Sequence, residues 1–399
     1  MTDTTSTGLS STDLRLGTDA INAQENAAIR RAVVKIKVFG IGGGGNSVLV
    51  RLAENNFAET DLVAVNTDAQ VLNLGNDSIK GLQIGGSLTK GHGTGGQVQL
   101  GELAARNDAE RLMNMMSGAD MIFITAAMGG GTGTGAAPII ARIAKELKLL
   151  TIGVVTVPFG FEGKRKQKTA LEGIVKMQSY MDALIVVKND NLMKLPENKS
   201  LNIVDAFRAA DAVLIQAIRC VTELILTTGI VNVDFADVTT IFHQSESSDA
   251  LLGIGRSNIS AVKAVQQAIE SPLIERSLEG ARGIILNITG DENLSLYDVN
   301  EAASYIFSQT KDDVNIILGV VTDNSLEGTV QATIIATDFA DSLAMKSPVV
   351  EKPKSSSTVA RGFNLDIPAG LRHRPNEQPP DNIIPAFDLF TNRRKNDDK

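Results

Sequence analysis

Cysteine, histidine and tryptophan are all scarce here: 399 residues carry one cysteine, three histidines and no tryptophan. A lone Cys220 closes no internal disulfide, so stability must come from apolar burial, and a reducing, cytoplasmic setting is expected. Cys220 lies in an apolar stretch and reads as packing. His92, His243 and His373 are too scattered to form a ligand set, and no protein-built metal site is expected. No run approaches eighteen apolar residues, so no segment reads as crossing a membrane. The first thirty residues, rich in Ser, Thr and Asp, hold no signal-peptide core. Positive charge is outweighed, 38 Lys and Arg against 46 Asp and Glu, and the net charge of -8 argues against nucleic-acid partners and a polybasic membrane patch. Neither a Gly-x-x-x-x-Gly-Lys-[Ser/Thr] run nor an Asn-Lys-x-Asp run is present, which removes the ordinary P-loop nucleotide sites.

Glycine is what the chain does have. The central stretch is Met128 to Pro138, Met-Gly-Gly-Gly-Thr-Gly-Thr-Gly-Ala-Ala-Pro. It follows the apolar run Met121 to Thr125 and precedes Ile139 to Leu147, where apolar residues recur at helical spacing. It therefore reads as a strand-to-helix turn, with Pro138 starting the helix. Such turns hold phosphates, because glycines let backbone N–H groups converge on an anion beside the positive end of a helix dipole. Val33 to Phe39 is a strand that breaks into Gly40 to Gly45 ahead of a helix ending near Glu54. Leu62 to Asn66 is another, stopping at Asn66-Thr67-Asp68, and a further glycine loop spans Gly91 to Gly96. Helix (98–117), strand (121–125), helix (137–148), strand (151–157), helix (165–181) and strand (184–187) then alternate. This is the beat of a doubly wound parallel α/β sheet, in which ligands sit outside the carboxyl ends of the strands. One pocket should gather all these turns.

Ile203 to Leu226 reads as a helix about 36 Å long, apolar on most of its circumference, with a polar stripe at Asp205, Arg208, Gln216, Arg219 and Glu223. Such a helix lies between two layers. Gly229 suits its C-cap, and a loop with Asn232, Asp234 and Asp237 follows. Beyond residue 240, helix (259–270), strand (283–289), helix (296–307) and two long strands (314–322, 328–337) read as a smaller α+β domain. Seven of the 11 prolines lie from Pro348 onward, which marks a linker and tail. Within it Leu365 to Ala369 and Asn382 to Phe387 resemble each other as short apolar docking segments. The expected division is a mobile arm (1–31), a nucleotide domain (32–202), the long helix (203–228), a C-terminal domain (229–340) and a disordered linker with tail peptides (341–399).

Gly40 to Gly45 also fits Gly-x-Gly-x-x-Gly, with Asp68 where a ribose-binding acid would be sought, so an NAD-dependent oxidoreductase stays open. Three glycine turns around one pocket suit a triphosphate better than a dinucleotide. The run Gly129 to Gly135, together with Val65-Asn66-Thr67-Asp68-Ala69-Gln70, Phe161-Glu162-Gly163, Asp205 to Asp211 and Asn232 to Val238, resembles the FtsZ cell-division GTPases of the tubulin superfamily, in matching order over about residues 33–340.

That resemblance implies a GTPase domain joined by a long central helix to a smaller α+β domain, binding GTP or GDP with Mg2+ held mainly by the phosphates. It implies that Phe207 stacks on guanine and that Asp211, one helical turn on, accepts from the base; the plain alternatives are core packing for Phe207 and a solvated or salt-bridged carboxylate for Asp211. It assigns Glu162 and Lys166 to the ribose and phosphate side and Asn189 to the sugar and base. Gly42, Gly43, Gly44, Gly45, Ser47, Asn66, Asp68, Gly93, Thr94, Gly95, Gly130, Gly131, Thr132, Gly133 and Thr134 complete the nucleotide site. Asn232, Asp234 and Asp237 lie at the far end of the long helix, and the resemblance implies hydrolysis in the pocket of the next subunit of a head-to-tail filament; loop-solubilising residues or a helix cap near Val238 are the alternatives for the aspartates. The implied setting is the cytoplasmic division ring at mid-cell, with division and membrane-tether proteins bound through the tail. Ala127 stands where the family usually has Gly, Lys166 where it has Arg, and Lys188 where it has Pro. Ala127 is expected to be strained if its φ is positive. A filament whose hydrolysis is lost or slowed is the further alternative.

Overall fold

The computed structural model describes residues 34–54, 57, 60–73, 76–195, 198–226, 233–244, 247–311 and 314–339. The expected arm, the Gly229 cap, Asn232 and both tail segments lie outside the described residues.

Strands β1 (Ile36–Ile41), β2 (Asp61–Asn66), β3 (Ile79–Gln83), β4 (Met121–Ala127), β5 (Leu150–Val157) and β6 (Ala183–Lys188) pair in parallel in the order β3-β2-β1-β4-β5-β6. β5 is buried at every position and β4 at all but Ala127, as strands covered on both faces must be. Helices α1 (Gly42–Glu54), α2 (Val98–Asn107), α3 (Ala109–Met116), α4 (Gly131–Glu146), α5 (Lys164–Gln178) and α6 (Ile203–Leu226) supply the cover. Apolar residues of α1 and α6 fill one face of the sheet, and those of α2 to α5 fill the other. The chain steps from β1 outward to β2 and β3, then returns to set β4 on the other side of β1, with Lys37 opposite Asp61 and Ile36 opposite Met121. The switch point lies between β1 and β4, where such sheets open a crevice.

Past α7 (Phe235–His243) come β7 (Asp249–Ser257), α8 (Ala261–Ile269), β8 (Ala281–Gly290), α9 (Leu296–Ser308), β9 (Asn315–Thr322) and β10 (Val330–Phe339). β10 runs antiparallel between β7 and β8, and β8 pairs in parallel with β9. A short parallel register, Leu184 with Asp249 and Ile185 with Ala250, joins β6 to β7, so one ten-stranded sheet carries both halves. α6 has the bounds its pattern predicts and buries Ala210, Leu214, Ala217, Ile218, Val221 and Leu224. Of its polar stripe, Gln216 reaches the second half, its amide donating to Thr333 Oγ1 at 3.1 Å, while Asp205 and Arg208 pair with each other at the exposed start of the helix.

Several boundaries differ from expectation. The helix expected over 98–117 breaks at Asp108, whose carboxylate accepts from the Gly85 N–H at 2.6 Å and from Arg111 at 2.8 Å. Side-chain bonds of this kind compete with a continuous helix. α4 begins at Gly131, so the glycine run is its first turn and a half, and Pro138 sits in its interior without an N–H for the Thr134 carbonyl. β3 and β7 add to the expected strands: β3 has just two buried positions, and Gly253 and Gly255 interrupt β7 because the backbone of α8 lies against them.

Burial overrides helix propensity in α4. A Cβ on Gly135 would collide with the Val98 carbonyl oxygen and lie 2.7 Å from the Glu102 nitrogen, both backbone atoms of α2. Gly135→Ala therefore sets a propensity gain of roughly 0.5–1 kcal/mol against an overpacking cost of about 1–3 kcal/mol. The overpacking wins because backbone has nowhere to rotate. Urea unfolding of the variant should show a net loss of roughly 1–2 kcal/mol.

Candidate functional site

The turns predicted to share a pocket do lie together at the carboxyl ends of the parallel strands. A cavity of about 270 Å³ is lined by Gly42, Gly43 and Gly44 after β1, by Thr94, by Ala127 to Gly133 after β4, and by Glu162 and Lys166 after β5. Gly42 has φ +70°, and a Cβ there would stand 3.0 Å from the Gly133 nitrogen, so the two turns meet backbone to backbone. Gly130, the N-cap of α4, offers no side-chain cap, which leaves the N–H groups of the first turn directed to the cavity end of the helix. That end suits an anion. An adjoining cavity of about 510 Å³ takes in Gly95, Gly96, Gln97, Thr134, Arg165 and Lys176 and shares Gly129, Gly130 and Lys166 with the first.

Hydrogen bonds between loops hold this arrangement. Thr67 Oγ1 and Thr132 Oγ1 lie 2.7 Å apart, and the Gly129 N–H donates to Thr134 Oγ1 at 2.8 Å. Asn46 is buried; its amide donates to the Gly40 carbonyl at 2.8 Å, and its Oδ1 accepts from Asn66 at 2.7 Å. Asn66 Oδ1 in turn accepts from the Asp68 N–H at 3.1 Å. Asn66 and Asp68 thus shape the loop, and Asp68 Oδ1 caps its own turn by accepting from the Gln70 N–H. Ser47 turns its hydroxyl back to the Gly43 carbonyl at 3.1 Å, and Gly45 packs against Gly40 and the Thr125 carbonyl. Of the predicted nucleotide-site residues, Gly45, Ser47, Asn66, Asp68, Gly93, Asn189, Phe207 and Asp211 are absent from the linings of both cavities.

Beside the glycine turns lies an aromatic cluster. The rings of Phe159 and Phe161 stack at 5.1 Å, and Phe207 meets them edge-on at 5.4 and 6.5 Å while staying 40 % exposed. Glu162 Oε1 accepts from the Phe159 N–H at 3.0 Å, and Glu162 Oε2 from Lys166 at 3.2 Å. Asn189, 4 % exposed at the end of β6, has an Oδ1 without a hydrogen-bond partner among the described residues. A buried acceptor in that state fits a site meant for a donor on a ligand. Asp211 stands 3.3 Å from Arg51 Nε. Burial pushes its carboxyl up to about 6, against the pull of Arg51. Asp234 and Asp237 are exposed, beyond the other end of α6, and neither carboxylate is bonded among the described residues. Asp234 stands at the N-cap of α7, but its side chain makes no cap bond.

Residues 35–197 match the GTPase domain of the Tubulin/FtsZ family, and residues 248–340 match the FtsZ family C-terminal domain. An empty FtsZ dimer from M. jannaschii shares 37% sequence identity, covering 82% of this chain and 92% of that one, with a TM-score of 0.73. A mutant FtsZ from M. jannaschii, also 37% identical, covers 80% of this chain and 96% of its own, with a TM-score of 0.75. The chain belongs to the tubulin/FtsZ family. CetZ2 from Haloferax volcanii, solved as a GTPγS-bound protofilament, shares the fold at 20% identity and a TM-score of 0.63, over 79% of this chain and 96% of that one. As a member of this family the protein is a cytoskeletal GTPase whose GTPase domain binds GTP and GDP.

Within the tubulin/FtsZ frame, Ala127 carries no strain: it ends β4 in register with Thr156 and has no positive φ. Its methyl instead occupies the space beside Gly44. Asn46, Phe159 and Arg51 escape sequence reasoning. Their roles lie in contacts with residues distant in sequence, and a lone Asn or Arg in a helix carries no local signal. The salt-bridge alternative for Asp211 and its place one turn from Phe207 both hold.

Asp211 has a measurable signature. Its ordinary value is 3.8 and its folded value about 6, so across that window the folded chain holds a proton the unfolded chain has released. Stability contributed by this group therefore falls as pH rises through the window. In ¹³C NMR of carboxyl-labelled protein without nucleotide, one aspartate should titrate near pH 6, and Asp211→Asn should remove it.

Proposed function

We propose that this protein polymerises head to tail and hydrolyses GTP in a site completed by the next subunit. The observation that carries this is a separation. Phe207 and Asp211 lie near the start of a 24-residue helix, about 36 Å long, while Asp234 and Asp237 are exposed and follow its other end. No side chain spans that length, so within one chain these carboxylates do not reach the phosphates. A second chain stacked in the same sense brings them there, and such a heterologous contact propagates. The FtsZ dimer from M. jannaschii supports self-association.

In this reading the turns Gly42 to Gly45, Gly93 to Gly95 and Gly130 to Thr134 cradle the phosphates through backbone N–H groups. Phe207 stacks on guanine and Asp211 accepts from it; Asn189 Oδ1 takes a donor from the sugar or base, and Glu162 with Lys166 flanks the ribose. One acidic side chain, Glu162, lines the cavity and is already engaged by Lys166, so Mg2+ would be held by the phosphate oxygens, whose charge it neutralises. Asp234 and Asp237 of the following subunit, with Asn232, orient the water that attacks the γ-phosphate. The cellular role is the scaffold of the bacterial division ring at mid-cell, in the cytoplasm, with partners bound through the tail. Domain limits follow the sequence division, at 32–202, 203–228 and 229–340.

Phosphate release measured against protein concentration tests the shared site. Turnover per subunit should be near zero when dilute and rise above a threshold; a rate independent of concentration rejects the mechanism. Assembly with GTP but no turnover at any concentration selects the filament with lost hydrolysis. Asp237→Ala should bind GTP and pellet with GTP as the wild type does while hydrolysis falls by about 10²-fold or more. Loss of nucleotide binding in that variant would instead tie the loop to its own pocket.

A further inference from the structure

Arg51 lies on α1, the helix whose first turn, Gly42 to Gly44, lines the cavity. Its Nε is 3.3 Å from Asp211 Oδ2, with the two side chains 30% and 16% exposed. Phe207 touches Phe159 and Phe161 at the carboxyl end of β5, so the Arg51–Asp211 pair lies one helical turn deeper than the aromatic cluster, between α1 and α6. One helix thus carries both phosphate-cradle glycines and the cation that holds Asp211.

We propose that Arg51 is a positioning residue for base selection: its guanidinium, paired with Asp211 Oδ2, keeps the carboxylate ionised and oriented to accept from the two donor hydrogens on the edge of guanine. This rests on the proposed role of Asp211 in base recognition. Guanine presents N1–H and N2–H side by side, and an ionised carboxylate, an acceptor at both oxygens, answers both. A protonated carboxyl would set its own O–H against a donor. Burial drives Asp211 toward that neutral form, and Arg51 is the charged group that opposes it. Of the other charges on the same stretch of α6, Arg208 pairs with Asp205 at 3.0 Å. Among the described residues no hydrogen bond occupies Asp211 Oδ1, and Oδ2 has lone-pair capacity beyond its ion pair with Arg51.

Equilibrium binding of GTP, ITP and ATP to the full-length chain, from pH 5.5 to 8.5, tests this on four proteins: wild type, Arg51→Met, Arg51→Lys and Asp211→Asn. ITP lacks the 2-amino donor and ATP lacks both donors. Wild type should prefer GTP, with the preference fading as pH falls through about 6. Arg51→Met keeps an unbranched apolar stem; it should weaken GTP by about tenfold at pH 7, narrow the GTP:ITP ratio and move the pH inflection upward. Arg51→Lys should recover part of each. An equal loss for all three nucleotides, with ratio and inflection unmoved, marks Arg51 as merely structural and overturns the inference. Should Arg51→Met not fold, Arg51→Lys decides: an inflection unchanged from wild type rejects the proposal. Full GTP preference in Asp211→Asn overturns the base reading and this inference together. Lost preference in Asp211→Asn beside an unmoved Arg51→Met overturns this inference alone.

Discussion

Two backbone turns, one after β1 and one after β4, touch each other, and the architecture of the site depends on that contact. Gly42 faces the Gly133 nitrogen, and Gly44 faces the Ala127 methyl. Side chains at those points would hold the turns apart and close the crevice at the switch point. The contact is kept in spite of local preference, since α4 starts on glycines and contains a proline, each unfavourable within a helix. What offsets this is burial: Gly131 to Ala141 are all buried, with α2 pressed onto the glycine face. Close packing of this kind leaves the N–H groups of the first turn as a rigid anion site.

The long helix α6 imposes a second constraint. It is packed against α1, β5 and β6 on one side and β9 and β10 on the other, so residues near its start and beyond its end keep their separation. Nucleotide-side groups gather at one end, and the two exposed aspartates stand beyond the other. In the proposed mechanism this separation is what ties chemistry to assembly. The buried pair Arg51–Asp211 adds a link between the phosphate helix and the base side, which local sequence does not advertise.

Much of the fold was legible in the chain. β1, β2, β4, β5 and β6 announced themselves as short apolar runs stopped by glycine or polar residues, and α6 as a long apolar helix, because burial on both faces leaves an unbroken hydrophobic signal. β3 was illegible because as an edge strand it buries little, and β7 because Gly253 and Gly255 serve the backbone of α8. The break at Asp108 depends on the Gly85 N–H, 23 residues away. Around the cavity the glycine turns could be named from the chain, and Glu162, Lys166, Phe207 and Asp211 rest on the family resemblance. Asn46, Phe159 and Arg51 could not be named, since each acts on a partner brought near by the fold.

By itself, then, the sequence determined the family, the parallel α/β beat and the glycine-lined phosphate turns, all of which depend on residue types at short spacing. Tertiary structure alone decided that α4 begins at Gly131, that Ala127 is unstrained, that Ser47, Asn66 and Asp68 face the scaffold, and that Asp211 shares its charge with Arg51. Those outcomes depend on which backbone and which charge stand across the gap, and local sequence encodes neither. Packing between distant segments is strong enough to override the propensity of any single one.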